Sequence, residues 1–125
     1  MFHGTLTALV TPFLPMNGGA PLDSESAPID FESLESLIEW QLQSGIQGFV
    51  ACGTTGETAT LSFAEWKSVV KFVIEKVKGR GIVIAGTGTN CTRESLERTR
   101  VSQALGVEVA PLWSGPRRGA NDKRE

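Results

Sequence analysis

Three times along this chain a short β-favouring run ends in a turn-forming segment and gives way to apolar residues at helical spacing. This alternation restricts the fold more than any other feature. Thr5-Leu6-Thr7-Ala8-Leu9-Val10 halts at Thr11-Pro12 and reads as the first strand. A loop from Leu14 to Pro28, rich in Gly, Pro, Ser and Asp, leads to Asp30, which is placed to cap a helix over 31–44. Leu34, Leu37, Ile38 and Leu42 form its apolar stripe, and Gly45 is its expected stop. A second strand over 47–52 runs into Gly53-Thr54-Thr55-Gly56-Glu57. Ser62 and Glu65 then make a capping box, Leu61 and Trp66 have the spacing of a hydrophobic staple, and Gly79 is the expected end of that helix. Trp66, Val69, Val70, Val73, Ile74 and Val77 lie on one face and read as core against a sheet. Gly81 to Ala85 is the third strand, Thr92 the expected cap of a helix reaching Leu105, and Val107 the start of a fourth strand. Strand and helix alternating with short connections mean βαβ units and a parallel sheet.

With 40% hydrophobic and 21% charged residues, the composition is that of a soluble globular protein. No apolar run approaches the ~20 residues of a membrane span, and Pro12 interrupts the N-terminal apolar segment, so neither a membrane partner nor a signal peptide is expected. The net charge of −2 points to no nucleic-acid partner. The charge is unevenly spread: residues 111–125 carry four basic and two acidic groups, residues 1–110 eight basic and twelve acidic. Cys52 and Cys91 are expected to be reduced thiols of a cytoplasmic protein, and His3 a surface residue.

The chemistry is expected at the turns. Two glycines around Thr54 and Thr55 let the chain bend sharply and present N–H groups and two hydroxyls at a strand's carboxyl end, which suits a carboxylate. The same threonines could serve only to cap the turn, and the residues alone leave that open. Glu57 is a loop or helix-side carboxylate with a lesser claim to a direct role. Gly86-Thr87-Gly88 is no dinucleotide fingerprint, because Cys91 stands where the third glycine belongs. No Walker lysine follows Gly56, and no metal-ligand cluster or cofactor motif is present in the sequence.

Ala8-Leu9-Val10-Thr11-Pro12-Phe13, Gly53-Thr54-Thr55-Gly56-Glu57 and Ala85-Gly86-Thr87-Gly88-Thr89-Asn90, in that order, closely resemble the dihydrodipicolinate synthase (4-hydroxy-tetrahydrodipicolinate synthase) and N-acetylneuraminate lyase family, and favour its synthase branch. The resemblance runs from about residue 2 to 110. It implies an α/β fold made of about the first three parallel βα units of a (β/α)8 TIM barrel. It also implies a lyase of the class I aldolase type that condenses pyruvate with aspartate semialdehyde through a Schiff base, in lysine and diaminopimelate biosynthesis. Family members are typically homotetramers. Carried over by position, Thr54 is the catalytic hydroxyl of a proton relay and Thr55 holds the pyruvate carboxylate. Asn90 and Glu94 fall where some members bind feedback-inhibiting lysine, although Phe63 and Trp66 stand where lysine-sensitive members often carry histidines.

The departures limit what this chain can do. It contains no tyrosine, whereas the family's relay tyrosines and Schiff-base lysine lie beyond the fourth strand. Lys67, Lys71, Lys76 and Lys78 belong to the second helix or its end, largely on its solvent side, and Lys123 lies in the tail; none suits a desolvated barrel lysine. A complete barrel takes ~250 residues. Residues 1–110 are therefore expected to be the N-terminal part of a barrel domain, and 111–125 a disordered or frameshifted tail that does not match the family. The 125-residue chain is expected to be inactive alone and prone to aggregate. Two other readings stand beside it: one half of a split pyruvate-dependent aldolase, and a small α/β module that binds a carboxylate ligand.

Overall fold

A computed structural model describes residues 3–15 and 28–110. The expectations for the tail 111–125 and for most of the loop between Leu14 and Pro28 fall outside these residues. Four strands, β1 (Leu6–Ala8), β2 (Gly48–Ala51), β3 (Ile82–Gly86) and β4 (Glu108–Ala110), alternate with helices α1 (Phe31–Gln43), α2 (Phe63–Val77) and α3 (Thr92–Ala104). The strands form one sheet in the order β1-β2-β3-β4, and every neighbouring pair is parallel. Leu6 pairs with Gly48, Gly48 with Ile82, and Ile84 with Glu108. Strand order equal to chain order, with α2 packed against both α1 and α3, gives the sheet the sense of a barrel wall rather than a doubly wound sheet.

Local chemistry explains the helix ends. Asp30 caps α1: its carboxylate accepts the Ser33 amide at 3.0 Å and the Ser33 hydroxyl at 2.6 Å. Those two bonds hold its carboxyl below the ordinary value, the hydroxyl contributing most. At the other end Gly45 takes φ +90°, and the amides of Gly45 and Ile46 reach back to the carbonyls of Leu42 and Gln41. The capping box of α2 forms as expected, with Ser62 Oγ accepting from the Glu65 amide at 3.1 Å and the Glu65 carboxylate from the Ser62 amide at 2.7 Å.

Two expected boundaries shift. The left-handed residue that ends α2 is Lys78 at φ +47°, with Gly79 following it. Cys91, not Thr92, occupies the N-cap of α3 and makes no side-chain cap. Thr89 is the reason: its hydroxyl accepts the Cys91 amide at 3.1 Å and donates to the Cys91 carbonyl at 2.8 Å, so the turn is tied off before Thr92.

The core lies between helices and sheet. Leu34 and Ile38 of α1, Phe49 and Ala51 of β2, and Trp66, Val70, Val73 and Val77 of α2 are all fully buried. Each such aliphatic side chain contributes roughly 1.5–3 kcal/mol of apolar burial. Leu37, Leu42 and Ile74, also expected on the buried stripes, are only partly covered. Lys76 with Glu35 at 2.8 Å, and Arg80 with Glu39, join α2 and its end to α1, but these pairs are substantially exposed and contribute little. No described helix is long and apolar enough to cross a membrane.

Candidate active site

The Gly53–Glu57 turn leaves β2 at its carboxyl end and is held from several sides. Cys52 bends the chain with φ +53° and Glu57 with φ +55°, both uncommon for residues with a side chain. Successive backbone bonds, Gly56 amide to Gly53 carbonyl at 3.0 Å and Glu57 amide to Thr54 carbonyl at 3.1 Å, close the turn. From the connection after β1, the buried Thr11 hydroxyl donates to the Gly56 carbonyl at 2.8 Å. From α2, Trp66 Nε1 donates to the Gly86 carbonyl at 2.9 Å, which fixes the end of β3 beside the turn.

Gly86 is there because nothing larger fits. A Cβ at that position would lie 2.3 Å from the Cys52 carbonyl oxygen and 3.0 Å from the Gly53 nitrogen. The two glycine-rich turns are thus in backbone contact, as their placement at the ends of neighbouring strands requires.

Thr54 and Thr55 are both exposed. Among the described residues, neither their hydroxyls nor their backbone N–H groups are used in intrachain hydrogen bonds. Both threonines are thus exposed at a strand's carboxyl end with hydroxyls and N–H groups that have no intrachain partner among the described residues, an arrangement suited to a small carboxylate. This weighs against a purely capping role for the threonines.

Beside the turn, a hollow of about 490 Å³ opens between residues 54–59 and the start of α3. Thr54, Asn90 and Glu94 all line it, so residues expected in two different sites share one cavity, while Thr55 is not among the lining residues. Glu57 lines it too and is exposed.

Three residues of this region were not singled out by sequence reasoning. Arg98, only 5% exposed, donates to the buried Thr58 hydroxyl at 2.9 Å and lies 5.4 Å from the centre of the Trp66 ring. Thr87, fully buried, accepts from Thr99 at 3.1 Å. All three depend on contacts between distant parts of the chain, and a polar residue on a helix otherwise rich in polar residues gives no signal that it turns inward.

Cys52 and Cys91 are both unpaired. Burial pushes the Cys52 thiol up to about 12, against a smaller opposing effect of the Arg98 charge. Cys52 is therefore a packed thiol, not a nucleophile. Its preference for the neutral form stabilises the fold below the ordinary thiol value, and this contribution is lost as pH rises through the elevated one. The described residues contain no cluster of three or more metal-ligating side chains.

A parallel sheet built in chain order, with ligand-suited turns gathered at its carboxyl edge, defines part of a (β/α)8 barrel whose chemistry lies at that face. Comparison with known proteins carries this further. The chain belongs to the dihydrodipicolinate synthetase family, whose model matches residues 1–112. It is 46% identical over 120 residues to the 4-hydroxy-tetrahydrodipicolinate synthase of Magnetococcus marinus, covering 93% of this chain and 37% of that protein. The crystal structure of dihydrodipicolinate synthase from Aquifex aeolicus superposes with a TM-score of 0.74 at 37% identity, covering 87% of this chain and 33% of the other. The chloride-inhibited dihydrodipicolinate synthase from Acinetobacter baumannii, complexed with pyruvate, gives 0.72 at 41% identity, covering 83% and 32%. The chain thus spans about a third of the length of these relatives.

Proposed function

We propose that this chain forms the carboxylate-binding wall of a 4-hydroxy-tetrahydrodipicolinate synthase, the enzyme that condenses pyruvate with aspartate semialdehyde. The observation that carries this reading is the set of unspent donors at Thr54 and Thr55, on the strand end where a barrel enzyme binds its substrate. Thr55, through its hydroxyl and backbone N–H, holds the pyruvate carboxylate. Thr54, one residue earlier and facing the hollow, passes a proton between groups at the reacting centre. Thr11 and Trp66 keep this turn in place by holding the carbonyls of Gly56 and Gly86.

The covalent step needs a lysine that the described residues do not offer. Lys67, Lys71 and Lys78 are exposed and Lys76 is paired with Glu35, so none is in the desolvated setting that makes an amine nucleophilic at neutral pH. Pyruvate accordingly binds to this chain alone without forming a Schiff base, and condensation does not proceed. A carboxylate-binding module would share that behaviour. A split enzyme would regain condensation when a second chain bearing the lysine is added.

Pyruvate titrated into the isotopically labelled chain should shift the amide resonances of Thr54 and Thr55. Thr55→Val removes a hydrogen bond to a charged group, worth about 1.5–3 kcal/mol, and should weaken binding roughly 10- to 100-fold. Unchanged affinity in Thr55→Val would remove the turn from the site.

A further inference from the structure

Arg98 reaches from the third βα unit to the turn of the second. It sits on α3 and is only 5% exposed. Among the described residues no carboxylate lies within ion-pair distance of it, and its Nε makes no hydrogen bond. A guanidinium removed from water on those terms costs stability, so fold stability alone does not account for an arginine here. What it touches does.

Two routes lead from Arg98 to the Gly53–Glu57 turn. Its Nη1 donates to the Thr58 hydroxyl at 2.9 Å, and the Thr58 amide reaches back to the Gly53 carbonyl at 3.4 Å. That same carbonyl accepts the Gly56 amide, so Thr58 joins the guanidinium to the bond that closes the turn. On its other side the guanidinium lies 5.4 Å from the centre of the Trp66 ring, and Trp66 Nε1 donates to the Gly86 carbonyl at 2.9 Å. Gly86 in turn abuts the backbone of Cys52 and Gly53. Both routes end at Gly53, the residue before Thr54. An apolar side chain at position 98 could cover the Trp66 ring but would offer Thr58 no donor.

We propose that Arg98 is a positioning residue: acting through Thr58 and Trp66, it holds the turn in the geometry in which Thr54 and Thr55 present their donors. Its consequence for binding rests on the pyruvate reading of the turn; its consequence for the turn itself does not.

Amide hydrogen exchange of the full chain measures the turn without any ligand. The Gly56 and Glu57 amides, bonded to the carbonyls of Gly53 and Thr54, report the turn, while the amides of Val70 and Val73 in α2 report the fold. Arg98→Met keeps an unbranched stem against Trp66 and removes the donor. It should speed exchange at Gly56 and Glu57 roughly tenfold more than at Val70 and Val73. Thr58→Val removes the acceptor and should do the same, whereas Thr58→Ser retains it and should exchange like the parent. Combining Arg98→Met with Thr58→Val should loosen the turn no further than either change alone. Pyruvate affinity should follow, about tenfold weaker in Arg98→Met and Thr58→Val and restored in Thr58→Ser. An equal change at all four amides, or Thr58→Ser behaving like Thr58→Val, would overturn the assignment. So would pyruvate affinity at the parent's value in a variant whose turn has loosened. Should the parent bind no pyruvate, the pyruvate reading fails and the exchange rates still decide the role of Arg98. Should Arg98→Met not fold, Thr58→Val against Thr58→Ser decides by the same criterion.

Discussion

Replacing Gly86 by alanine is expected to destabilise the chain by about 3 kcal/mol, the upper range for overpacking a close-packed site. The obstacle to the new methyl group is backbone. The Cys52 carbonyl oxygen would be 2.3 Å away, its carbon 2.8 Å and the Gly53 nitrogen 3.0 Å, and none of these is the movable end of a side chain. Relief requires β3 to separate from the residues that follow β2, and those residues are the turn that carries Thr54 and Thr55. The variant should therefore show a urea midpoint well below that of the parent and, where still folded, weakened pyruvate binding. A loss below about 1 kcal/mol would mean that the two strand ends are not in the contact described here.

Trp66→Ala should be of comparable or larger effect, roughly 3–5 kcal/mol for emptying a fully buried aromatic site. Two polar consequences add to the cavity. The Gly86 carbonyl loses its donor, and Arg98 loses the ring that covers it. Trp66→Phe separates these contributions in part, because it keeps an aromatic ring and most of the volume while deleting the N–H; about 1–3 kcal/mol is expected from the unsatisfied carbonyl. Because Trp66 and Gly86 touch, the double variant Gly86→Ala with Trp66→Ala should lose less than the two single losses combined. Equilibrium denaturation of the four proteins measures this, and strict additivity would contradict the coupling.

Much of the architecture was legible in the residues because its causes are local. The stripe from Trp66 to Val77, the Ser62–Glu65 box and the Asp30 cap each lie within a few positions of one another, and each appears where the spacing places it. Parallel pairing followed from the alternation of strand and helix. The ends were less legible. Gly79 looked like the stop of α2, but a left-handed Lys78 precedes it, and Thr92 looked like a cap because the tie between Thr89 and Cys91 is not a cap signature.

The candidate site was legible in part for the same reason. Thr54 and Thr55 announce themselves through the glycines around them. What clamps the turn does not: Thr11 is 45 residues from the Gly56 carbonyl it holds, and Arg98 is 40 residues from Thr58. Helix α3 was the least readable element. It buries Arg98 and Ser102 and exposes Leu96, the reverse of the amphipathic rule by which α1 and α2 were oriented.

We propose, centrally, that the turn at Thr54 and Thr55 binds the pyruvate carboxylate and that none of the described lysines supplies the amine of a covalent step. Incubation with pyruvate followed by borohydride reduction and intact-mass analysis, with amide spectra recorded before reduction, tests both halves together. The account predicts reversible shifts at Thr54 and Thr55 and a chain of unchanged mass. A pyruvate-derived adduct fixed on one of the lysines, or spectra in which Thr54 and Thr55 do not respond, would contradict it.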